Sequence, residues 1–120
     1  MIAAMSWTLE FYRSLDGGTP VEDWLDSLPA GEAGRATRGL DILRTFGTQL
    51  GMPHVRDGGQ TPPVFGLRRR GQPEHRMFYI PLSGQRFLIL HGCTKQAPGI
   101  PPADAALARD RQHEYLKRMA

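Results

Sequence analysis

The sequence contains a single cysteine, Cys93, so no disulfide can form within these 120 residues. It has no apolar run near the roughly 18–20 residues that a membrane-spanning helix requires. The first residues, MIAAMSWTLEF, lack the basic and long apolar regions of a secretory signal. A lone thiol without such segments is typical of a reducing compartment, so we expect a cytoplasmic protein without membrane contact.

Several motifs of enzyme chemistry are also missing from the sequence. There is no glycine-rich phosphate loop, no nucleophile elbow and no HExxH pair. The four histidines are scattered without the spacing of metal ligands. We therefore expect a protein that uses neither a metal nor a cofactor.

Positive charge is concentrated in the second half of the sequence. Residues 1–67 contain five Lys/Arg against eight Asp/Glu, a net charge of −3, whereas residues 68–120 contain ten against four, a net charge of +6. This asymmetry indicates that the second half faces a polyanion. A solvated basic surface without a partner is the alternative reading of the same charge.

Three strands are predicted in the basic half, at Val64–Arg70, His75–Leu82 and Arg86–Thr94. The turns between them are short enough for the strands to pair antiparallel as a meander. The third strand is apolar at successive positions from Phe87 to Leu90, as expected of a central strand that is covered on both faces.

The alternation of side chains predicts which residues share a face of each strand. Phe65 and Leu67 are predicted to face the core, and Gly66, Arg68 and Arg70 the other side. Because Gly66 has no side chain, a polymer backbone could approach the strand closely between the two arginines.

In the third strand one parity contains Phe87, Ile89, His91, Cys93 and Lys95. We expect Lys95 to reach the open face, because pairing ends near it. For the second strand the alternation leaves two readings open. Either Arg76 emerges beyond the core at the strand start, or Tyr79 is the exposed residue.

The rest of the sequence predicts one more strand and three helices. The predicted elements are a strand at Trp7–Arg13, a short helix from Pro20 that Pro29 closes, a long helix from Ala30 to about Leu50, a loop at Met52–Pro63 and a last helix from Pro102 or Ala103. Trp24 lies on the apolar face of the short helix and is predicted to anchor the core. Glycines in the long helix either permit close packing against the preceding helix or indicate a later helix start.

Several of these segments resemble the RelE/HigB-like toxins of bacterial type II toxin–antitoxin systems, in the phage-derived, host-inhibition-like branch of the RelE/ParE superfamily. The segments are FYR, PVEDWLDSLP, LGMP, VFGLR, HRMFYI and LILHGCTKQ, and the resemblance covers nearly the whole chain. It implies a single α+β domain over residues 1–120. The RelE-like fold has an N-terminal strand, a two-helix hairpin, a three-stranded antiparallel meander and a C-terminal helix, with the helices packed on a small twisted sheet.

The resemblance also implies an activity. Such toxins are ribosome-dependent endoribonucleases (mRNA interferases) that inhibit translation and arrest growth, and the implied partners are mRNA on the ribosome and a cognate antitoxin of helix-turn-helix type. The implied reaction is attack by a ribose 2′-OH on the adjacent phosphate without a metal, which requires proton transfer and positive charge. Arg68 and Arg76 would hold the phosphate, and Lys95 would stabilise charge or move a proton.

His91 and Tyr115 are further candidates for catalysis. Histidine is the residue type that most readily exchanges protons near neutral pH, although a histidine within an apolar strand also fits a core position. Related toxins use a tyrosine soon after the last strand, where this sequence has none, so Tyr115 is either a substitute or a packing residue. The sequence also departs from the family at Gly66, Cys93 and Gln96, where Glu, Phe and Lys are frequent.

Further basic residues are predicted to contact RNA around this group, namely Arg69, Arg70, Arg86 and Lys117. Other functions remain open at this point. The chain could be a non-catalytic RNA- or ribosome-binding module of a phage or mobile element, or an inactive relative that only binds its antitoxin. A structural or regulatory subunit that docks an acidic partner is a third reading.

Overall fold

The structure is a computed structural model that describes residues 6–50, 54–55, 63–95 and 102–120, with residues 54, 55 and 95 described by their backbone alone. Its elements are β1 (Thr8–Phe11), α1 (Pro20–Ser27), α2 (Ala30–Phe46), β2 (His54–Val55), β3 (Val64–Arg69), β4 (Glu74–Leu82), β5 (Arg86–Lys95) and α3 (Pro102–Met119). The predicted α+β class, with its strand, helix pair, meander and last helix, is confirmed.

The strands form one sheet in the order β1-β5-β4-β3-β2. Strands β3, β4 and β5 pair antiparallel as predicted, and β1 adds to β5 in parallel. The prediction of a loop at 52–63 is wrong at His54–Val55, which pair with Phe65 and Val64 of β3. Two residues are too few to show any alternation, which explains why this strand was not predicted.

Helices cover both faces of the sheet. The face under α1 and α2 contains Leu67, Met77, Tyr79, Phe87 and Ile89, and the face under α3 contains Val64, Phe78, Ile80, Leu88 and Leu90. Both sets are buried. This two-sided burial explains why β5 is apolar at successive positions. Among the described residues, no helix has the length and apolar character needed to cross a bilayer.

Two glycines leave room for a large side chain to pack directly against the backbone. A Cβ on Gly92 would overlap the ring of Trp24, so α1 packs on β5 at this point, and Trp24 is the core anchor that was predicted. Gly39 of α2 lies against the side chain of Arg69 on β3. The helix glycine therefore permits close packing on the sheet, not on the preceding helix. The long helix begins at Ala30 as predicted.

The long helix ends earlier than the predicted Leu50. Regular α-helix stops at Phe46, and a 3₁₀ turn follows at Gly47–Leu50. Gly47 has a φ of 56°, a left-handed conformation that glycine adopts without strain and that ends a helix.

A register shift between Phe78 and Tyr79 changes which residues of β5 share a face. Phe78 pairs with His91 and Tyr79 pairs with Ile89, so Leu90 is the extra residue of a bulge. The prediction that one parity holds Phe87, Ile89, His91, Cys93 and Lys95 on one face is therefore wrong. Phe87 and Ile89, which precede the bulge, lie under α1 and α2. Cys93, which follows it, lies under α3.

Candidate functional site

Two predicted catalytic arginines lie side by side on adjacent strands. Arg68 of β3 and Arg76 of β4 are directly opposite in the antiparallel register. Residues in this relation have Cβ atoms about 4.5–5.5 Å apart, so two positive charges are held together at this end of the sheet. The Arg68 side chain is 44% exposed and the Arg76 side chain only 7%.

A carboxylate, Glu74, connects the two arginines. Arg68 Nε donates a hydrogen bond of 2.9 Å to Glu74 Oε1, and Arg76 Nη2 lies 3.8 Å from Glu74 Oε2. Glu74 is also the register partner of Lys95, so the backbones of these two residues are adjacent on β4 and β5. A phosphate that enters this group therefore meets arginines that already contact an anion.

Arg76 is a buried cation with weak compensation. Its 3.8 Å approach to Glu74 is longer than a hydrogen bond, and its Nε has no hydrogen-bond partner among the described residues. A buried cation with an unpaired donor is costly. The arrangement suits an arginine whose hydrogen bonds are completed by an external anion.

The surface at Gly66 is not open, contrary to the prediction. Gly66 is buried, and a Cβ there would lie 3.4 Å from Arg76 Nη1 and 3.7 Å from Arg76 Cδ. The missing side chain makes room for Arg76 itself. Both readings of β4 are also wrong, because Arg76 is 6% exposed and Tyr79 only 4%. Burial under the two helices raises the pKa of Tyr79 to about 12.

His91 lies on the same face as Arg76, in a network with α3. His91 Nε2 lies 2.6 Å from Asp104 Oδ1, and Arg111 Nη1 lies 3.3 Å from His91 Nδ1. Because arginine only donates, Nδ1 accepts and the imidazole proton is on Nε2, which donates to Asp104. The ring also stacks on Phe78. Both ring nitrogens are thus occupied, which favours the packing role over proton transfer.

Tyr115 is not brought together with the arginine pair. It packs at the edge of the core under α3, and its hydroxyl contacts Arg86, the first residue of β5. Arg86 pairs with Leu82 at the far end of β4, six residues from Arg76, or about 20 Å along the strand. Glu10 accepts a 2.6 Å hydrogen bond from Arg86, and this bond holds the pKa of the Arg86 guanidinium above its usual value.

The predicted RNA-contacting residues are spread over the molecule. Arg70 is exposed directly after β3, two residues after Arg68. Arg69 points to the opposite face, where its Nε donates to the Arg35 carbonyl oxygen at 3.0 Å. Arg86 lies at the distant end, and Lys117 is exposed on α3 two residues after Tyr115, which contacts Arg86. Of these four residues, Arg70 alone is exposed at the end of β3 that carries Arg68.

The sequence reading missed two carboxylates. Glu74 is two residues before Arg76 and so shares its face of β4, a spacing that was visible in the sequence. Asp104 reaches His91 only through the packing of α3. Among the described residues, Asp104, His91 and Cys93 also form a group of metal-ligand types, with one donor atom from each within 4.8 Å of the others.

The fold and this site define a small α+β protein with paired arginines at one end of its sheet. A protein-family model described as "Phage derived protein Gp49-like (DUF891)" matches residues 23–113. The chain belongs to this family, a phage-derived, toxin-like family associated with toxin–antitoxin systems and related to the RelE/HigB-type toxins. No curated protein matches the chain. The resemblance seen in the sequence is confirmed at this level.

Proposed function

We propose that this protein is a single-domain toxin of a type II toxin–antitoxin system that cleaves mRNA on the ribosome. Its family is associated with such systems, which also supports a cognate antitoxin as partner. The observation that carries the proposal is the Arg68–Arg76 pair, in which one arginine is exposed and the other is buried with an Nε that has no hydrogen-bond partner in the described part of the chain. A phosphodiester supplies the acceptors that this pair lacks.

Each residue of the group has a proposed role in the reaction. Arg68 and Arg76 hold the scissile phosphate, and Lys95 stabilises the charge that develops on its oxygens. Glu74 contacts the arginines in the free protein. When a phosphate takes over these contacts, the Glu74 carboxylate is released from the arginines and is free to act as a base. Glu74 then accepts the proton of the 2′-OH as the 2′-oxygen bonds to phosphorus. The P–O5′ bond breaks, a 2′,3′-cyclic phosphate is left on one fragment, and the leaving 5′-oxygen takes its proton from water.

A translation extract tests this function. The purified chain is added to a bacterial extract, and mRNA 5′ ends are mapped by primer extension with and without active ribosomes. We expect new 5′ ends only while ribosomes translate. The double variant R76Q/K95Q should produce no cleavage, because it removes two of the three cations at the phosphate.

The matched control is R38Q/R44Q, which removes two exposed arginines from α2 and changes the net charge equally. It should cleave like the wild type. Cleavage by R76Q/K95Q at the wild-type rate, with both variants folded by circular dichroism, would contradict the site.

One observation favours a second function, a non-catalytic RNA- or ribosome-binding module. His91 is occupied at both nitrogens and Tyr115 lies at the other end of the sheet, which leaves few groups for proton transfer. In the same extract, translation that is blocked while the message stays intact supports this module. Normal translation with intact message, together with antitoxin binding, supports an inactive relative.

A further inference from the structure

Three side chains with metal-binding donors meet where α3 begins. His91 and Cys93 are two residues apart after the bulge in β5, and Asp104 is in the first turn of α3. An imidazole nitrogen, the Cys93 sulfur and an Asp104 oxygen all lie within 4.8 Å of one another. We propose that His91, Cys93 and Asp104 bind one divalent transition-metal ion of the Zn²⁺ type. This metal cluster is independent of the proposed function.

The donor types of the metal cluster select the class of ion. Thiolate and imidazole are preferred ligands of Zn²⁺ and are poor ligands of Mg²⁺ and Ca²⁺, which take oxygen donors. The thiolate of Cys93 and the carboxylate of Asp104 together balance the two positive charges of the ion. Three protein ligands leave the fourth tetrahedral position for water.

Small side-chain movements bring the metal cluster to tetrahedral geometry. Zn–N, Zn–O and Zn–S bonds of about 2.0–2.3 Å place neighbouring donor atoms about 3.3–3.6 Å apart. His91 Nε2 and Asp104 Oδ1 are now 2.6 Å apart, and the widest donor separation in the cluster is at most 4.8 Å. The required shifts are about 1 Å. The side chains of His91 and Asp104 are 13% and 28% exposed, so an ion can enter from solvent.

Two cations, Arg111 and Arg76, are close to the metal cluster and affect its affinity for the ion. Arg111 Nη1 lies 3.3 Å from His91 Nδ1, and Arg76 is the register partner of Cys93. Positive charge near a thiol favours the thiolate that a metal requires, but it also repels the ion. We therefore expect weaker binding than at a closed site with four protein ligands.

Metal binding also moves the proton of His91. In the free protein this proton is on Nε2 and faces Asp104, as the Arg111 contact requires. A metal on Nε2 leaves the proton on Nδ1, so Arg111 must give up its contact there. Arg111 keeps its 2.9 Å hydrogen bond to the Leu90 carbonyl oxygen. The change of tautomer is a signature that a merely packed histidine does not give.

Cobalt titration of the reduced, untagged chain tests the metal cluster. We expect one Co²⁺ per chain, with the absorption of a thiolate–cobalt bond that Zn²⁺ displaces. C93S should lose this absorption, and D104N should weaken binding by about tenfold or more. Long-range ¹H–¹⁵N spectra should show His91 change from the Nε2–H to the Nδ1–H tautomer when Zn²⁺ is added.

Matched controls come from α3 itself. His113 and Asp110 are exposed on this helix, so H113Q and D110N should bind Co²⁺ like the wild type. The proposal is overturned if the wild type shows no thiolate–cobalt absorption, or if D104N binds as tightly as the wild type. Loss of binding in H113Q or D110N would also overturn it, because the ion would then occupy the outer surface of α3. C93S and D104N are nearly isosteric, and their melting temperatures without metal establish that they fold.

Discussion

Arg68 and Arg76 face each other across β3 and β4. The Arg68 side chain is 44% exposed, and the Arg76 side chain is 7% exposed. The sheet register holds the two backbones opposite each other before any ligand binds. Glu74 contacts both and keeps two like charges compatible at this distance. In the proposed function, this arrangement makes the pair a preorganised phosphate site whose counterion in the free protein is Glu74.

The first prediction concerns the salt dependence of RNA binding. Each of R68Q and R76Q removes one phosphate contact, so each should weaken binding to single-stranded RNA. The slope of log affinity against log salt concentration should become shallower by about 0.7 per lost contact. Fluorescence anisotropy of a labelled RNA at several salt concentrations measures both quantities.

R38Q is the control for this experiment, because it removes an exposed arginine of α2 and lowers the net charge by the same amount. Its slope should stay close to that of the wild type. If R38Q and R76Q lower the slope equally, RNA binds to diffuse positive charge and the arginine pair has no special role.

The meander and the facing of Arg68 could be predicted from the sequence because they depend on local features, whereas the place of Arg76 in the site was implied by the family resemblance. Short turns set the meander, and the alternation in β3 separated Arg68 from the core-facing Leu67. The side chain that fills the space above Gly66 could not be predicted. Whether that space stays open depends on the rotamer of Arg76, which tertiary packing decides.

The His91 network could not be predicted for a different reason. The bulge in β5 reverses the facing of the residues that follow it, and no local pattern shows where a strand carries an extra residue. Asp104 and Arg111 reach His91 only because α3 packs on this face. Such contacts across the fold are set by the packing of whole elements.

The second prediction concerns the contact between α1 and β5. G92A should destabilise the protein by on the order of 1–3 kcal/mol, because the added Cβ would overlap the ring of Trp24. Urea unfolding followed by tryptophan fluorescence measures the change. G31A is the matched control, since nothing lies within 4 Å of a Cβ at this exposed helix position. It should stabilise the protein by up to about 1 kcal/mol, and an equal loss in both variants would contradict this account of Gly92.

The third prediction concerns stability at high pH. Burial raises the pKa of Tyr79 from 10.0 to about 12, because the ionised phenolate is disfavoured under α1 and α2. The folded state therefore holds this proton more tightly than the unfolded state. The resulting stability is complete below pH 10 and is lost as the pH rises through 12. The free energy of unfolding should fall more steeply between pH 10 and 12 in the wild type than in Y79F. Parallel curves from urea unfolding at each pH would show that Tyr79 does not contribute.

The last prediction separates the two parts that Glu74 is proposed to play. In E74Q the side chain keeps its shape but no longer competes with phosphate for Arg68 and Arg76, so RNA binding should become tighter. Cleavage should fall by about 10²–10⁴-fold, because the amide cannot accept the 2′-OH proton. Tighter binding with slower cleavage is the expected result.

E10Q is the control for the charge change in E74Q. Glu10 also pairs with an arginine, Arg86, but at the distant end of the sheet. It should alter RNA binding only slightly and leave cleavage unchanged. Equal tightening in E10Q and E74Q would mean that net charge alone governs binding. Normal cleavage by E74Q would leave the arginines as the phosphate site and assign proton transfer to another group, with Lys95 as the next residue to replace.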